Sequence, residues 1–428
     1  MKLADLTRAV WHLSHPSHPT HPGFSGIALA YSLVVRKPRV MQLVLGLSPG
    51  GTERLVIEIC RHLAGRIEPM VCCLDERGAW APELESLGIP VVALGRRPGF
   101  QPSLAQTIAR LIRANGIDVV HCHHYSPYVY GLMASVTTNA KLMFTEHGRL
   151  ADTRPSHKRR WINPWLSLLP GQIFAVSNDL KQHMVSEGFP ARCIRVLYNG
   201  IDPGTRPTSA QRAAAREALG IPPGAFVVGT AGRLDPVKNL TVMLQVQQIL
   251  RDKVKRAFAV VVGDGPERAA LAAMATNLGV TDSVIFTGYR ADVRALMPAF
   301  DVYLNSSTYE GVSLTILEAM AAALPVVATP AGGNPEVVVD QETGYVVPSR
   351  PRSIAETLSH LAFDARLRRT MGDAARWRVI RHFSIARMVD EYAAIYLADR
   401  SHTVSAAPTD VPTAADAMSV SDPTRSAV

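Results

Sequence analysis

From Arg39 onward the chain alternates short apolar runs with helical segments, and this rhythm constrains its fold more than any other feature. The runs "RVMQLVLG", "PMVCCL", "PVVAL", "DVVHCH", "AKLMFTEH" and "QIFAVS" are β-rich and apolar on successive residues rather than on every second one. Between them lie helical stretches such as "TERLVIEICRHLAG" and "SLAQTIARLIRANG", the second closing on Gly116 as a helix C-terminus does. Strands apolar on both sides must be covered on both faces, which predicts a doubly wound parallel sheet of the α/β class. The Gly- and Pro-rich "YNGIDPGTRPTSA" interrupts the rhythm and reads as an interdomain linker. After the helical "AQRAAAREALG" the alternation resumes through "AFVVGTAG", "AFAVVVGDG", "DSVIFTG", "FDVYLN", "LPVVAT" and "TGYVV". A length of 428 residues also exceeds one compact core.

The expected organisation is a leader over 1–38, Rossmann-like domains over 39–205 and 206–381, and a closing helix over 382–397 that packs back toward the first domain. A tail rich in Ser, Thr, Ala and Pro follows over 398–428 and is expected to be disordered. In the leader, "SHPSHPTHP" sets His15, His18 and His21 between prolines, which favours an extended disordered arm over a metal site. Open parallel sheets bind ligands at the C-terminal ends of their strands, so the site is expected in a cleft between the domains.

A net charge of +9 favours anionic partners: nucleotides, nucleic acid or an acidic membrane. No RNA-binding signature or zinc-finger spacing is present, which argues against nucleic acid. Five cysteines form no CxxC pair, which fits a reducing compartment. The apolar "GFSGIALAYSLVV" is shorter than the ~20 residues of a membrane span and lacks the features of a signal peptide. The expectation is a cytoplasmic protein, or one peripheral on the inner face of a membrane.

Four stretches carry candidate chemistry. In "LSPGGTERLV", Gly50 and Gly51 clear space where a strand turns into a helix, so a ligand can approach the helix N-terminus; a tight turn is the alternative. The dinucleotide and phosphate-loop fingerprints are both absent. In "GTAGRLDPVKNL", Arg233 and Lys238 leave one loop together and can bracket a diphosphate. In "TYEGVSLTILEAMAAALPVVAT", Ser313 is placed to cap a helix over 314–323, with Glu318 among apolar neighbours. A carboxylate there needs a partner, such as the diol of a ribose, unless an internal salt bridge satisfies it. Gly311, Val312 and Ser313 offer free N–H groups to a phosphate, and Glu310 stands one step outside. In "FTEHGR", His147 follows a first-domain strand at the expected cleft edge; His121, His123 and His124 nearby read as cleft lining rather than as a metal cluster.

Taken in order with "YNGID", "GDGP" and "AGGNPEVV", these motifs resemble family 4 glycosyltransferases of the GT-B fold over about residues 39–397. The resemblance implies retaining, metal-independent transfer from a nucleotide diphosphate sugar, with no bound cofactor. It implies that Arg233 and Lys238 hold the diphosphate, that Glu318 binds the ribose, and that Glu310 contacts the donor sugar. The backbone amides from Gly311 through Val312 and Ser313 to Leu314 would lie near sugar and phosphate. Gly50 and Gly51 would close over the donor, His147 would lie near the reacting centre, and residues 287–290 would face the base. The donor is expected to be a UDP-, GDP- or ADP-sugar and the acceptor a glycan or lipid-linked hydroxyl. A non-catalytic nucleotide-sugar sensor and a GT-B sugar-nucleotide epimerase are the alternatives. "SHKRRWINPWLSLLPG", mixing Lys158, Arg159 and Arg160 with Trp161 and Trp165, suggests contact with an anionic membrane, the alternative being a covering helix with a solvated basic face.

Overall fold

The computed structural model describes residues 36–148 and 156–398, so most of the leader and tail lie outside the described residues. The apolar runs form two sheets. The first has seven strands: β1 (Arg39–Val44), β2 (Glu68–Cys73), β3 (Val91–Ala93), β4 (Val119–His123), β5 (Lys141–Glu146), β6 (Gln172–Ala175) and β7 (Ile194–Val196). Their order is β3-β2-β1-β4-β5-β6-β7, with every pairing parallel. The second has six: β8 (Phe226–Ala231), β9 (Ala257–Val262), β10 (Val284–Gly288), β11 (Val302–Asn305), β12 (Val326–Ala328) and β13 (Gly344–Val346), in the order β10-β9-β8-β11-β12-β13, again parallel throughout.

Both sheets reverse direction once, between β1 and β4 and between β8 and β11. At such a switch point the loops leaving neighbouring strands diverge to opposite faces and open a crevice at the carboxyl ends. The loops after β1 and β8 carry Gly50 and Arg233, and the loop after β11 carries Glu310. The sheet order alone therefore collects the candidate residues at the two crevices.

β7 is the strand that the apolar pattern misses. It is three residues long at a sheet edge, with Arg195 exposed, so it carries no continuous apolar run. The segment read as a linker is also anchored. Tyr198, Asn199 and Ile201 are buried. Ile201 N–H donates to the Phe383 carbonyl at 2.9 Å, and Ile385 N–H returns a bond to Ile201 at 2.7 Å.

The last helix, Ile385–Leu397, lies against the first domain. Its Met388, Tyr392 and Tyr396 are buried with Val40, Leu55, Ile59 and Phe174. Burial of each large side chain contributes about 1.5–3 kcal/mol, enough to fix the chain's return across the domain boundary.

Candidate functional site

Lys238 and Glu310 meet across the second switch point. The turn Pro236–Lys238 ends at Asn239 in the left-handed conformation (φ 49°), which presents Lys238 before the helix Leu240–Lys253 begins. Lys238 Nζ donates to Glu310 Oε1 at 2.6 Å, Ser307 Oγ donates to the same oxygen at 2.6 Å and Asn305 Nδ2 at 3.2 Å. Three donors on one oxygen hold the carboxylate rigidly although Glu310 is buried. Neither Asn305 nor Ser307 was singled out from sequence, yet "NSS" directly after an apolar strand is a polar cluster at a strand C-terminus, a usable signal. Arg233 shares a shallow pocket with Lys238, Thr230 and Ser307. Its side chain is 69% exposed and pairs with Asp235 at 3.3 Å.

The helix Leu314–Ala321 starts beside this pair and ends two residues short of the sequence expectation. Ser313 stands at its N-cap, but its hydroxyl makes no capping bond. It faces Thr315 Oγ1 at 3.2 Å instead, and Thr315 in turn receives the Tyr303 hydroxyl at 2.8 Å. The first-turn N–H groups therefore lack a side-chain cap. Glu318, on this helix, is half-buried, and no hydrogen bond from another described residue reaches its carboxyl group. Burial pushes its pKa up to about 6, against the weaker pull of Arg294 and of Arg54 from the first domain. No salt bridge to a described cation satisfies it; the ion pair at this site forms between Glu310 and Lys238.

The first domain meets this loop through backbone. A Cβ on Gly311 would stand 2.3 Å from the His147 carbonyl, and one on Gly333 would stand 1.9 Å from the Gly311 carbonyl. Only glycine permits such stacking of three chain segments. A Cβ on Gly51 would lie 3.8 Å from Leu314 Cδ1, an ordinary contact. Gly50 precedes the helix Gly51–Leu63, but a Cβ there would meet Glu53 Oε2 at 2.2 Å. The space left open at Gly50 in the sequence reading thus already has a carboxylate beside it, one that burial pushes above its ordinary pKa. Glu336, on the short helix Asn334–Val337, also bridges the domains. Its carboxylate accepts from Asn178 N at 2.8 Å, Asp179 N at 2.9 Å and the Tyr198 hydroxyl at 2.8 Å.

His147 is buried, with Nε2 2.8 Å from His123 Nδ1. Burial first, then His123 and His124, hold its pKa well below the usual imidazole range. His121 and His123 are core residues rather than cleft lining, because their strand is covered on both faces. His124 Nδ1 donates to Glu146 at 2.8 Å and its Nε2 faces Thr52 at 3.0 Å. Burial would lower its pKa, but the hydrogen bond and charge of Glu146, with Glu53, outweigh that and raise it. Among the described residues, no group of three or more His, Cys, Asp or Glu side chains is placed to hold a metal ion. In the region 287–290, Tyr289 is exposed and Arg290 pairs with Asp292.

Two open parallel α/β sheets, each with one switch point, are the architecture of the GT-B class of protein. Residues 211–378 match the family of group 1 glycosyl transferases and residues 49–205 match glycosyltransferase family 4. The chain belongs to this glycosyltransferase family and is an enzyme of that type. It is 31% identical to D-inositol 3-phosphate glycosyltransferase of Salinispora arenicola, over 67% of this chain and 70% of that one. It is 23% identical to UDP-Gal:alpha-D-GlcNAc-diphosphoundecaprenol alpha-1,3-galactosyltransferase of Escherichia coli, over 70% of this chain and 84% of that one. Among solved structures, Anabaena HepE in complex with UDP and glucose superposes with a TM-score of 0.73 at 26% identity, covering 83% of this chain and 98% of that one.

Proposed function

We propose that the protein is a retaining glycosyltransferase that moves a sugar from a nucleotide diphosphate sugar to a hydroxyl of a glycan or lipid-linked acceptor, without a metal ion. The observation that carries this reading is the unpaired Glu318 carboxyl group one helix start away from the Lys238–Glu310 pair. A diphosphate sugar offers matching groups: ribose hydroxyls for Glu318, phosphate for the uncapped helix N-terminus and for Arg233 and Lys238, and sugar hydroxyls for the free face of Glu310. Negative charge develops on the leaving diphosphate, and the two cations supply its electrostatic stabilisation in place of a metal. The neighbour that holds UDP and glucose favours a UDP-sugar over a GDP- or ADP-sugar.

The acceptor reading rests on the helix His157–Leu166, where Trp161 is 79% and Trp165 72% exposed, beside exposed Lys158 and Arg160. Aromatic and basic side chains together suit an anionic membrane surface that presents a lipid-linked acceptor, and a relative is named for a diphosphoundecaprenol substrate. No described helix is long and apolar enough to cross a membrane. Thermal shift with UDP-, GDP- and ADP-sugars tests the donor, since a ligand that binds only the native state raises the melting point. A rise with UDP-sugars alone is expected; no rise with any donor refutes the reading. Flotation with anionic and with neutral liposomes tests the membrane contact, and equal recovery in both refutes it.

A further inference from the structure

Behind the cleft a chain of buried hydrogen bonds runs from the last helix to His147. Gln42 Nε2 donates to the Tyr396 hydroxyl at 3.2 Å, and Gln42 Oε1 lies 2.8 Å from His123 Nε2. His123 Nδ1 lies 2.8 Å from His147 Nε2. Gln42 and His123 are fully buried and His147 is 9% exposed.

Each link fixes the next. An amide oxygen only accepts, so His123 carries its proton on Nε2. Burial, then the neighbouring imidazoles, holds His123 and His147 neutral. A neutral imidazole has one N–H, so His123 Nδ1 accepts and His147 Nε2 donates to it. His147 Nδ1 is then a bare lone pair, and it is buried with no hydrogen-bond partner among the described residues. The other end of the chain is consistent with this assignment. The Tyr396 hydroxyl, accepting from Gln42, keeps its own proton for His121 Nδ1 at 2.7 Å, and His121 Nε2 faces Thr145 Oγ1 at 2.8 Å.

We propose that Gln42 and His123 are positioning residues that hold His147 in its Nε2-protonated tautomer, so that Nδ1 serves the cleft as a hydrogen-bond acceptor for a substrate hydroxyl. This rests on the reading of the cleft as a nucleotide-sugar site. A lone pair at Nδ1 selects an O–H group and repels a phosphate oxygen, so this atom sorts the sugar from the diphosphate. Turning the Gln42 amide over would reverse every link and leave His147 with an Nδ1–H instead. The state of one amide, anchored by Tyr396, therefore sets the chemistry of an atom two side chains away.

The test is long-range 1H–15N correlation on histidine-labelled full-length protein, which reads the tautomer of each ring without any substrate. Nε2 protonation of His123 and His147 is expected; a proton on His147 Nδ1 overturns the proposal. Gln42→Leu removes the acceptor, and both rings are expected to redistribute between tautomers. UDP release from UDP-glucose as probe is expected to fall about tenfold or more, with circular dichroism unchanged. Unchanged tautomers in Gln42→Leu overturn the proposal. Tyr396→Phe frees the amide to turn and is expected to mix the tautomers with a smaller loss of turnover, so it decides the matter if Gln42→Leu does not fold. A wild-type protein with the expected tautomers but no turnover of any nucleotide sugar would refute the functional reading instead.

Discussion

Replacing Lys238 with alanine strips Glu310 of the one cation bonded to it among the described residues. The Glu310 side chain is 10% exposed and that of Lys238 25%. Removing one partner of a fully buried pair costs about 3–5 kcal/mol, because the other charge is left uncompensated. Here Ser307 and Asn305 still donate to Glu310 Oε1, and water reaches the space vacated by a quarter-exposed lysine. A loss of about 2–3 kcal/mol is therefore expected, or roughly 5–10 °C in the melting point of the second domain. Turnover falls for a different reason, the loss of a cation where leaving-group charge develops, by about 10²–10³.

The double variant Lys238→Ala/Glu310→Gln separates the two effects. With the carboxylate replaced by an amide there is no orphaned charge, so it should be about 1–2 kcal/mol more stable than Lys238→Ala while remaining equally inactive. Differential scanning fluorimetry and UDP release measure the pair of outcomes. A Lys238→Ala protein that melts within about 1 °C of wild type, or a double variant whose loss equals the sum of the single losses, would refute the argument.

Glu318 predicts a pH signature. Burial raises its folded-state pKa from 4.5 to about 6, so its contribution to stability is full below 4.5 and is lost as pH rises through 6. Glu318→Gln should therefore be about 1–2 kcal/mol more stable than wild type above pH 6, and flat where wild type declines. Donor affinity of the wild type should fall as pH drops through 6, and titration calorimetry should find weak, pH-independent binding in the variant. Gly311→Ala places a methyl group 2.3 Å from the His147 carbonyl and 3.2 Å from Val176 Cγ2, so turnover should drop at least about tenfold with circular dichroism unchanged. Glu336→Ala removes the acceptor of the Asn178, Asp179 and Tyr198 bonds; a larger radius of gyration in small-angle scattering and a raised donor KM are expected.

The legibility of the sequence followed from how local each cause was. Continuous apolar runs report burial on both faces, so twelve strands could be read directly; three-residue β7 with its exposed Arg195 could not. Glu318 stood out because an acid in an apolar helix is anomalous without any knowledge of its neighbours. The Lys238–Glu310 pair, 72 residues apart, was invisible as a pair, since it exists only through the adjacency of β8 and β11.

The buried polar chain failed for the same reason, yet a stricter physical rule would have reached part of it. A polar side chain inside a strand covered on both faces has no water to turn to, so it must find a partner on a neighbouring strand. "RVMQLV", "DVVHCH" and "AKLMFTEH" each break their apolar run with such residues: Gln42, His121, His123 and Thr145. Once β1, β4 and β5 are known to be neighbours, the register sets Gln42 opposite His121 and His123 opposite Thr145. A polar ladder across three strands follows. What pattern and register cannot supply is Tyr396, which arrives from 354 residues downstream to hold the Gln42 amide. Only after the last helix has docked on the first domain does the ladder have a direction.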